Sequence, residues 1–147
     1  MVGRALSMNA NSVVCLHHSG WTHLYAGQSE TAVAHLQRAL RMNPRDPLDY
    51  TNWSGLSIAF IQMGRDEEAL RAAREALDRN QLFTTAWRAY SSSLALLGQM
   101  AKAREAMAEL LRLDPQSSLT GYKSQPSFTE AARERYWQGL LLAGLPK

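Results

Sequence analysis

Cysteine is almost absent from the sequence, since Cys15 is the only one among 147 residues. No intrachain disulfide can form, and a reducing compartment is the simplest location. Long hydrophobic runs are absent too, because no apolar stretch approaches the roughly 20 residues of a membrane span. The first residues, MVGRALSMNANSVV, lack the apolar stretch of a secretory signal. We therefore expect a cytoplasmic location.

Clustered positive charge is also lacking. The formal net charge is +3, and the basic residues between Glu67 and Arg79 alternate with acidic ones. Segments that bind nucleic acid usually gather basic residues on one face or stretch. The charge pattern therefore predicts a solvated helix face, with no nucleic-acid partner and no membrane partner for this segment.

Internal repetition is what the sequence has in abundance. The segment RALRMNPR (Arg38–Arg45) has counterparts in EALDRNQL (Glu75–Leu82) and ELLRLDPQ (Glu109–Gln116). Aligning these ends brings eight columns into register, at offsets of 37 and then 34 residues. The columns are Leu16, Trp53 and Trp87; Gly20, Ser57 and Ser91; His23, Phe60 and Leu94; Gly27, Gly64 and Gly98; Ala32, Ala69 and Ala103; Leu36, Ala73 and Met107; Ala39, Ala76 and Leu110; and Pro44, Gln81 and Pro115.

Each repeated unit predicts a pair of helices. Two stretches with helical apolar periodicity are separated by the glycine column. Gly64 can adopt the left-handed conformation that ends a helix, and Asp66 can cap the next helix. Three extra residues precede Trp53; either the loop is longer there or the helix begins one turn early at Pro47, and we expect the early start. No strand-like alternation competes with this pattern, so the predicted fold class is all-α.

The repeat resembles the tetratricopeptide repeat, which has a period of 34 residues and a W-x2-L-G-x2-Y, A-x3-F, P signature. The resemblance covers residues 13–116. It implies one domain built as a right-handed α–α superhelix, with repeats at residues 13–49, 50–83 and 84–117.

Residues 118–147 are predicted to form a linker and a C-terminal capping helix. The segment from Ser127 to Glu130 fits a capping box, and the helix it opens should run for about 15 residues to Gly144. An apolar stripe follows at Phe128, Ala132, Tyr136 and Leu140. The last repeat of a solenoid needs its apolar face covered, and this helix can cover it.

Residues 1–12 are predicted to be the remnant of a preceding repeat, because RALSMNAN (Arg4–Asn11) matches the close of a unit. We therefore expect the chain to be a C-terminal fragment of a longer protein. A helix over residues 1–9 that lacks its pairing partner would expose an apolar side. It would support a weak homodimer about a two-fold axis, or else fray.

The resemblance places the working surface on the concave side, which the first helix of each repeat lines. The predicted peptide-binding groove consists of Val14, His17, Trp21, Leu24, Tyr25, Thr51, Ser54, Ile58, Ile61, Thr85, Arg88 and Ser92. An extended peptide or partner helix would suit this surface. Alternatively, intramolecular contacts or another domain of the same chain fill it. Columns that clamp chaperone C-termini in similar domains hold His17, Trp21, Gly55, Thr85 and Ala89 here, so that clamp is missing.

The tail RERYWQGLLLAGLPK (Arg133–Lys147) looks like the close of many proteobacterial proteins in which such repeats follow another domain. That domain is a class III adenylate cyclase or a winged-helix regulator. The resemblance implies a protein–protein interaction or regulatory module, the C-terminal part of a bacterial signalling protein, with the cyclase preferred and the regulator as the alternative.

Residue sets for catalysis or metal binding are lacking in the chain. There is no Ser-His-Asp set and no glycine-rich phosphate loop. Cys15 and His18 lie one helical turn apart, yet two ligands do not make a zinc site. His23 stands in a packing column. We expect no enzyme activity, no cofactor and no metal in this chain.

Overall fold

The computed structural model describes residues 2–124 and 129–147, without the side chains of residues 2–11 and 130–132. Within that part of the chain there are eight α-helices and no strand, which confirms the all-α prediction. The helices are α1 (Val2–Tyr25), α2 (Ser29–Met42), α3 (Asp49–Gln62), α4 (Asp66–Arg79), α5 (Thr84–Leu96), α6 (Met100–Leu113), α7 (Leu119–Lys123) and α8 (Glu130–Ala143). None of the helices described combines the length and apolar character that a membrane crossing requires.

Three helix pairs, α1–α2, α3–α4 and α5–α6, follow one another and pack in sequence. The alanines of the invariant column, Ala32, Ala69 and Ala103, are completely buried. The small-residue column lies opposite, and in the second pair Ser57 Oγ donates to the Ala69 carbonyl at 2.7 Å. Both columns are small because the two helices of a pair approach closely at that level.

Glycine ends the first helix of each pair in the way the sequence predicts. Gly27, Gly64 and Gly98 have φ values of 81°, 75° and 80°, in the left-handed region that favours glycine. In the second pair Arg65 N then donates back to Phe60 O at 2.8 Å, which closes the helix end. The predicted Asp66 cap is wrong, because no side chain caps α4. The Asp66 carboxylate pairs with Arg135 instead.

Two helix boundaries differ from the prediction. α3 begins at Asp49 rather than Pro47, because Asp46 closes a turn by accepting from Leu48 N at 2.9 Å. The extra residues therefore lengthen the loop. α1 is one continuous helix, although we expected residues 1–12 and the first helix of repeat 1 to be separate. Residues 9–13, NANSV, contain neither glycine nor proline, so nothing in them ends a helix.

We expected an apolar face on residues 1–9 to support a weak homodimer. The side chains of those residues lie outside the described part of the chain. The same holds for the predicted capping box from Ser127 to Glu130 and for two residues of the predicted stripe, Phe128 and Ala132. The other two residues of that stripe, Tyr136 and Leu140, are buried.

The C-terminal helix α8 lies across the face formed by α1, α3 and α5, here called the concave face. It packs mainly on α5, with further contacts to α3 and α6. Gly144, at φ 107°, ends the helix where the sequence predicts. The short α7 is tied to the chain end, because Leu119 N donates to Pro146 O at 2.8 Å. The helix predicted to stack behind the array therefore covers part of its inner side.

Candidate functional site

A pocket of about 490 Å³ opens on the concave face between the repeat helices and α8. It is lined by His17, His18, Trp21, Thr22 and Tyr25 of α1, Thr51 and Ile58 of α3, Phe83, Thr85 and Arg88 of α5 and its approach, Tyr122 of α7, and Tyr136 and Trp137 of α8. Aromatic rings form most of its walls. Its size is typical of pockets that hold small molecules or the anchor side chains of a peptide.

One wall of the pocket is a row of rings on α1. His17, Trp21 and Tyr25 are four residues apart and therefore share a helix face. The Trp21 and Tyr25 rings lie 5.7 Å apart between centroids. His17 Nδ1 lies 2.6 Å from Asn52 Oδ1 and donates to it, which ties the row to α3. Trp21 also packs on Gly55, where a Cβ would come within 3.1 Å of the indole.

The opposite wall carries the charge of the pocket. The Arg88 guanidinium donates to Thr85 Oγ1 at 2.6 Å and lies 4.9 Å from the centre of the Tyr122 ring. Burial raises the pKa of Tyr136 to about 12, although the positive charge of Arg88 opposes the shift. Burial also raises the pKa of Tyr25. Both phenols are therefore neutral at neutral pH, and Arg88 remains a cation.

Seven of the twelve predicted groove residues line this pocket. They are His17, Trp21, Tyr25, Thr51, Ile58, Thr85 and Arg88. Val14 is 53% exposed but lies outside the pocket.

Leu24, Ser54, Ile61 and Ser92 are buried and do not line the pocket. Leu24 and Ile61 belong to the core. The Ser54 hydroxyl donates within α3, to Tyr50 O. The Ser92 hydroxyl donates to Tyr136 O of α8 at 2.9 Å. Their placement differs from the expected groove because packing within the array and under α8 removes them from the open surface.

Contacts with α3, α5 and the start of α4 hold α8 in this position, and the residue before α8 bonds to the end of α1. At its N-terminal side Thr129 N donates to Tyr25 O at 3.0 Å. Midway, Arg135 Nη2 donates to Asp66 Oδ2 at 2.7 Å, and Arg135 Nη1 donates to Ile61 O at 3.0 Å.

Farther along α8, Gly139 lies directly against α5. A Cβ on it would stand 2.1 Å from Ser92 Oγ and 2.8 Å from Ser92 O. The missing side chain at Gly139 is therefore what lets the two helices touch.

Six lining residues were missed by the sequence reasoning: His18, Thr22, Phe83, Tyr122, Tyr136 and Trp137. The last three lie on α7 and α8, outside the repeat columns, so the groove geometry of a repeat could not indicate them. The available signal was the density of aromatic residues over residues 122–137, where Tyr122, Phe128, Tyr136 and Trp137 are four of sixteen.

A second depression, of about 660 Å³, lies on the outer side of the array among α2, α3 and α4. Its lining includes Leu40, Arg41, Trp53 and Arg71. Trp53 is therefore partly exposed, and the Arg79 guanidinium lies 5.2 Å from the centre of its ring. We use this depression, called the outer groove, as a control surface.

The His17 and His18 rings of α1 lie 5.4 Å apart, but neither Cys15 nor His23 joins them. Cys15 is exposed, while His23 packs on the ring of His35 at 5.1 Å. Among the side chains that the structure describes, no group of three or more His, Cys, Asp or Glu residues could hold a metal ion.

Comparison with known proteins decides the family. The family model of the tetratricopeptide repeat matches residues 19–73 and 54–118. The chain belongs to the tetratricopeptide repeat family. Domains of this family mediate protein–protein interactions and are typically non-catalytic scaffolds. No curated protein matches the chain.

Solved structures of tetratricopeptide repeat domains share the fold. The Arabidopsis OM64 domain superposes with a TM-score of 0.68 at 15% identity, over 89% of this chain and 96% of that one. The first domain of Spaghetti (RPAP3), bound to the HSP90 peptide SRMEEVD, gives 0.66 at 14% identity, over 88% and 90%. The second domain of human RPAP3, in complex with the HSP70 peptide SGPTIEEVD, gives 0.65 at 14% identity, over 89% and 97%.

Proposed function

We propose that this tetratricopeptide repeat domain binds a protein partner through the concave pocket, as a regulatory interaction module. The observation that carries the proposal is the pocket itself. It places the rings of Trp21 and Tyr25 opposite the Arg88 cation. Rings and arginine are the side chains that anchor protein interfaces most often. The chain of the partner would enter between α1 and α8, with one side chain or terminus in the pocket.

The chaperone peptides bound by the two RPAP3 domains are a poor model for this partner. The columns where such clamps carry lysine, arginine or asparagine include Gly55 and Ala89, which are both buried. Thr85 uses its hydroxyl to accept from Arg88. The domain would therefore read a different peptide sequence.

We further propose that the domain is the C-terminal part of a cytoplasmic bacterial signalling protein, preferably an adenylate cyclase. The support is the tail resemblance, and the matching residues are those that fix α8. Tyr136, Leu140 and Leu145 are buried, and Gly139 touches α5. The tail motif is thus a packing motif for a helix laid over the concave face.

A winged-helix regulator is the alternative parent, since the same tail resemblance covers both. The open reading frame that encodes this domain distinguishes them. Metal-binding aspartates in a cyclase domain support the first, and a DNA-binding winged helix supports the second.

A matched pair of arginine variants tests the binding proposal. Peptides are selected from a displayed library against the whole chain, and their affinities are measured for Arg88→Gln and Arg112→Gln. Arg112 is exposed on α6, away from the pocket, and pairs with Glu109. Arg88→Gln should weaken binding roughly tenfold or more, as loss of a charge-assisted contact does, while Arg112→Gln should leave it unchanged. Equal affinity for both variants would contradict the proposal.

A further inference from the structure

The pocket has a charge that the described part of the chain does not balance. None of its lining residues is acidic. Among the residues that the structure describes, no carboxylate lies within ion-pair distance of Arg88. Asp49 pairs with Arg79, and Asp66 pairs with Arg135. A guanidinium enclosed by rings loses hydration free energy. Neutral hydroxyl groups make up for that loss less well than an anion does.

Two further cations stand at the same wall. Trp137, which lines the pocket, has the Arg133 guanidinium 4.3 Å and the Lys123 ammonium 5.4 Å from its ring centre. The positive charge of Lys123 lies beside this wall, and positive potential near an enclosed site draws anions toward it.

The other residues that line the pocket indicate what kind of molecule could fill it. Rings from α1, α7 and α8 enclose a space of about 490 Å³. Flat aromatic groups stack on such walls at low cost, while a strongly hydrated anion such as inorganic phosphate would lose its water there without enough donors to replace it.

We propose that this pocket binds a small organic carboxylate with an aromatic body, whose carboxylate pairs with Arg88 and whose ring stacks on the walls from α1 and α8. This goes beyond the proposed protein-binding function, because the ligand is a free small molecule that the pocket holds without a partner. Such a ligand would occupy the space that a docked peptide needs, so the two would compete.

The first test uses the unmodified chain and a matched pair of probes. 3-Phenylpropionate and its neutral amide, 3-phenylpropionamide, have the same ring and nearly the same shape. Ligand-observed NMR titration should show saturable binding of the acid in roughly the millimolar range, as expected for so few atoms. The amide should bind at least about tenfold more weakly, since it lacks the charge-assisted bond. Equal binding of the two, or no saturable binding of the acid, would overturn the proposal.

The second test asks whether Arg88 makes the difference. In Arg88→Gln the preference for the acid over the amide should fall to within about twofold, while Arg112→Gln should retain it. Circular dichroism checks that both variants are folded. Should Arg88→Gln not fold, Tyr122→Leu replaces it. That variant removes the ring that faces the guanidinium and should weaken binding of the acid and the amide alike; unchanged affinity for both would place the ligand outside this pocket and refute the proposal. An acid preference that survives in folded Arg88→Gln would place the anion elsewhere and refute the assignment.

Discussion

Replacing Gly139 by alanine tests the placement of α8 most sharply. The new Cβ would stand 2.1 Å from Ser92 Oγ and 2.8 Å from Ser92 O. The hydroxyl can rotate away, at the loss of its bond to Tyr136 O, which is worth about 1 kcal/mol. The carbonyl belongs to the α5 backbone and cannot move, so α8 must shift, and overpacking of this kind costs about 1–3 kcal/mol.

A gain partly offsets this cost. Alanine favours a helix over glycine by about 0.5–1 kcal/mol. The net loss should therefore be about 1–3 kcal/mol of unfolding free energy, or a fall in Tm of roughly 3–12 °C. Urea unfolding and thermal melts followed by circular dichroism measure both quantities.

Two controls isolate the contact with α5. Gln138 lies on the exposed side of the same helix. Gln138→Ala should therefore change the free energy of unfolding by less than about 0.5 kcal/mol. The double variant Ser92→Ala with Gly139→Ala removes the nearer atom and should recover part of the loss. If Gly139→Ala alone were neutral or stabilising, α8 would not rest on α5 as described.

Further substitutions probe the other contacts of α8, the repeat columns and the absence of a nucleotide site. Asp66→Ala leaves Arg135 without its carboxylate partner and should lower the free energy of unfolding in urea by about 1–3 kcal/mol. Glu68 pairs with Arg65 on the exposed surface, so Glu68→Ala should lower it by less than about 1 kcal/mol. Trp53→Ala should cost about 3 kcal/mol, at the low end for tryptophan truncation because the ring is partly exposed; a loss below about 1 kcal/mol would remove it from the packing columns. Because the pKa of Tyr136 is about 12 in the fold and about 10 when unfolded, its contribution to stability is complete below about pH 10 and is lost as the pH rises toward 12. Tyr136→Phe should therefore flatten the fall in unfolding free energy over this range, and an unchanged profile would show that another group titrates. Calorimetry should detect no saturable ATP binding by the chain, and specific binding would contradict the assignment as a non-catalytic module.

The repeat columns predict the fold well because each one reports a local requirement. Ala69 is small because the two helices of its pair approach closely there, at the level where Ser57 Oγ donates to the Ala69 carbonyl. Gly64 is glycine since its φ is positive. Requirements of this kind recur every repeat, so three copies identify the positions that packing constrains.

The position of α8 could not be predicted in the same way. Periodicity shows which side of a helix is apolar, but it does not show which neighbour covers that side. Asp66 stands at a helix start, where capping is the usual role, yet its partner Arg135 is 69 residues away. Gly139 inside a helix was the available signal, because glycine there costs stability unless something approaches closely. The same limit applies to the site, since Tyr122 and Trp137 belong to no repeat.

The concave face as the protein-binding surface can be tested directly by mapping a bound peptide. A peptide selected against the whole chain is titrated into the isotopically labelled protein, and backbone and indole shifts are followed by NMR. The account predicts that the largest changes fall on Trp21, Tyr25, Thr51 and Arg88. Changes confined to the outer groove, at Leu40, Arg41 and Arg71, with an unaltered concave face, would contradict it.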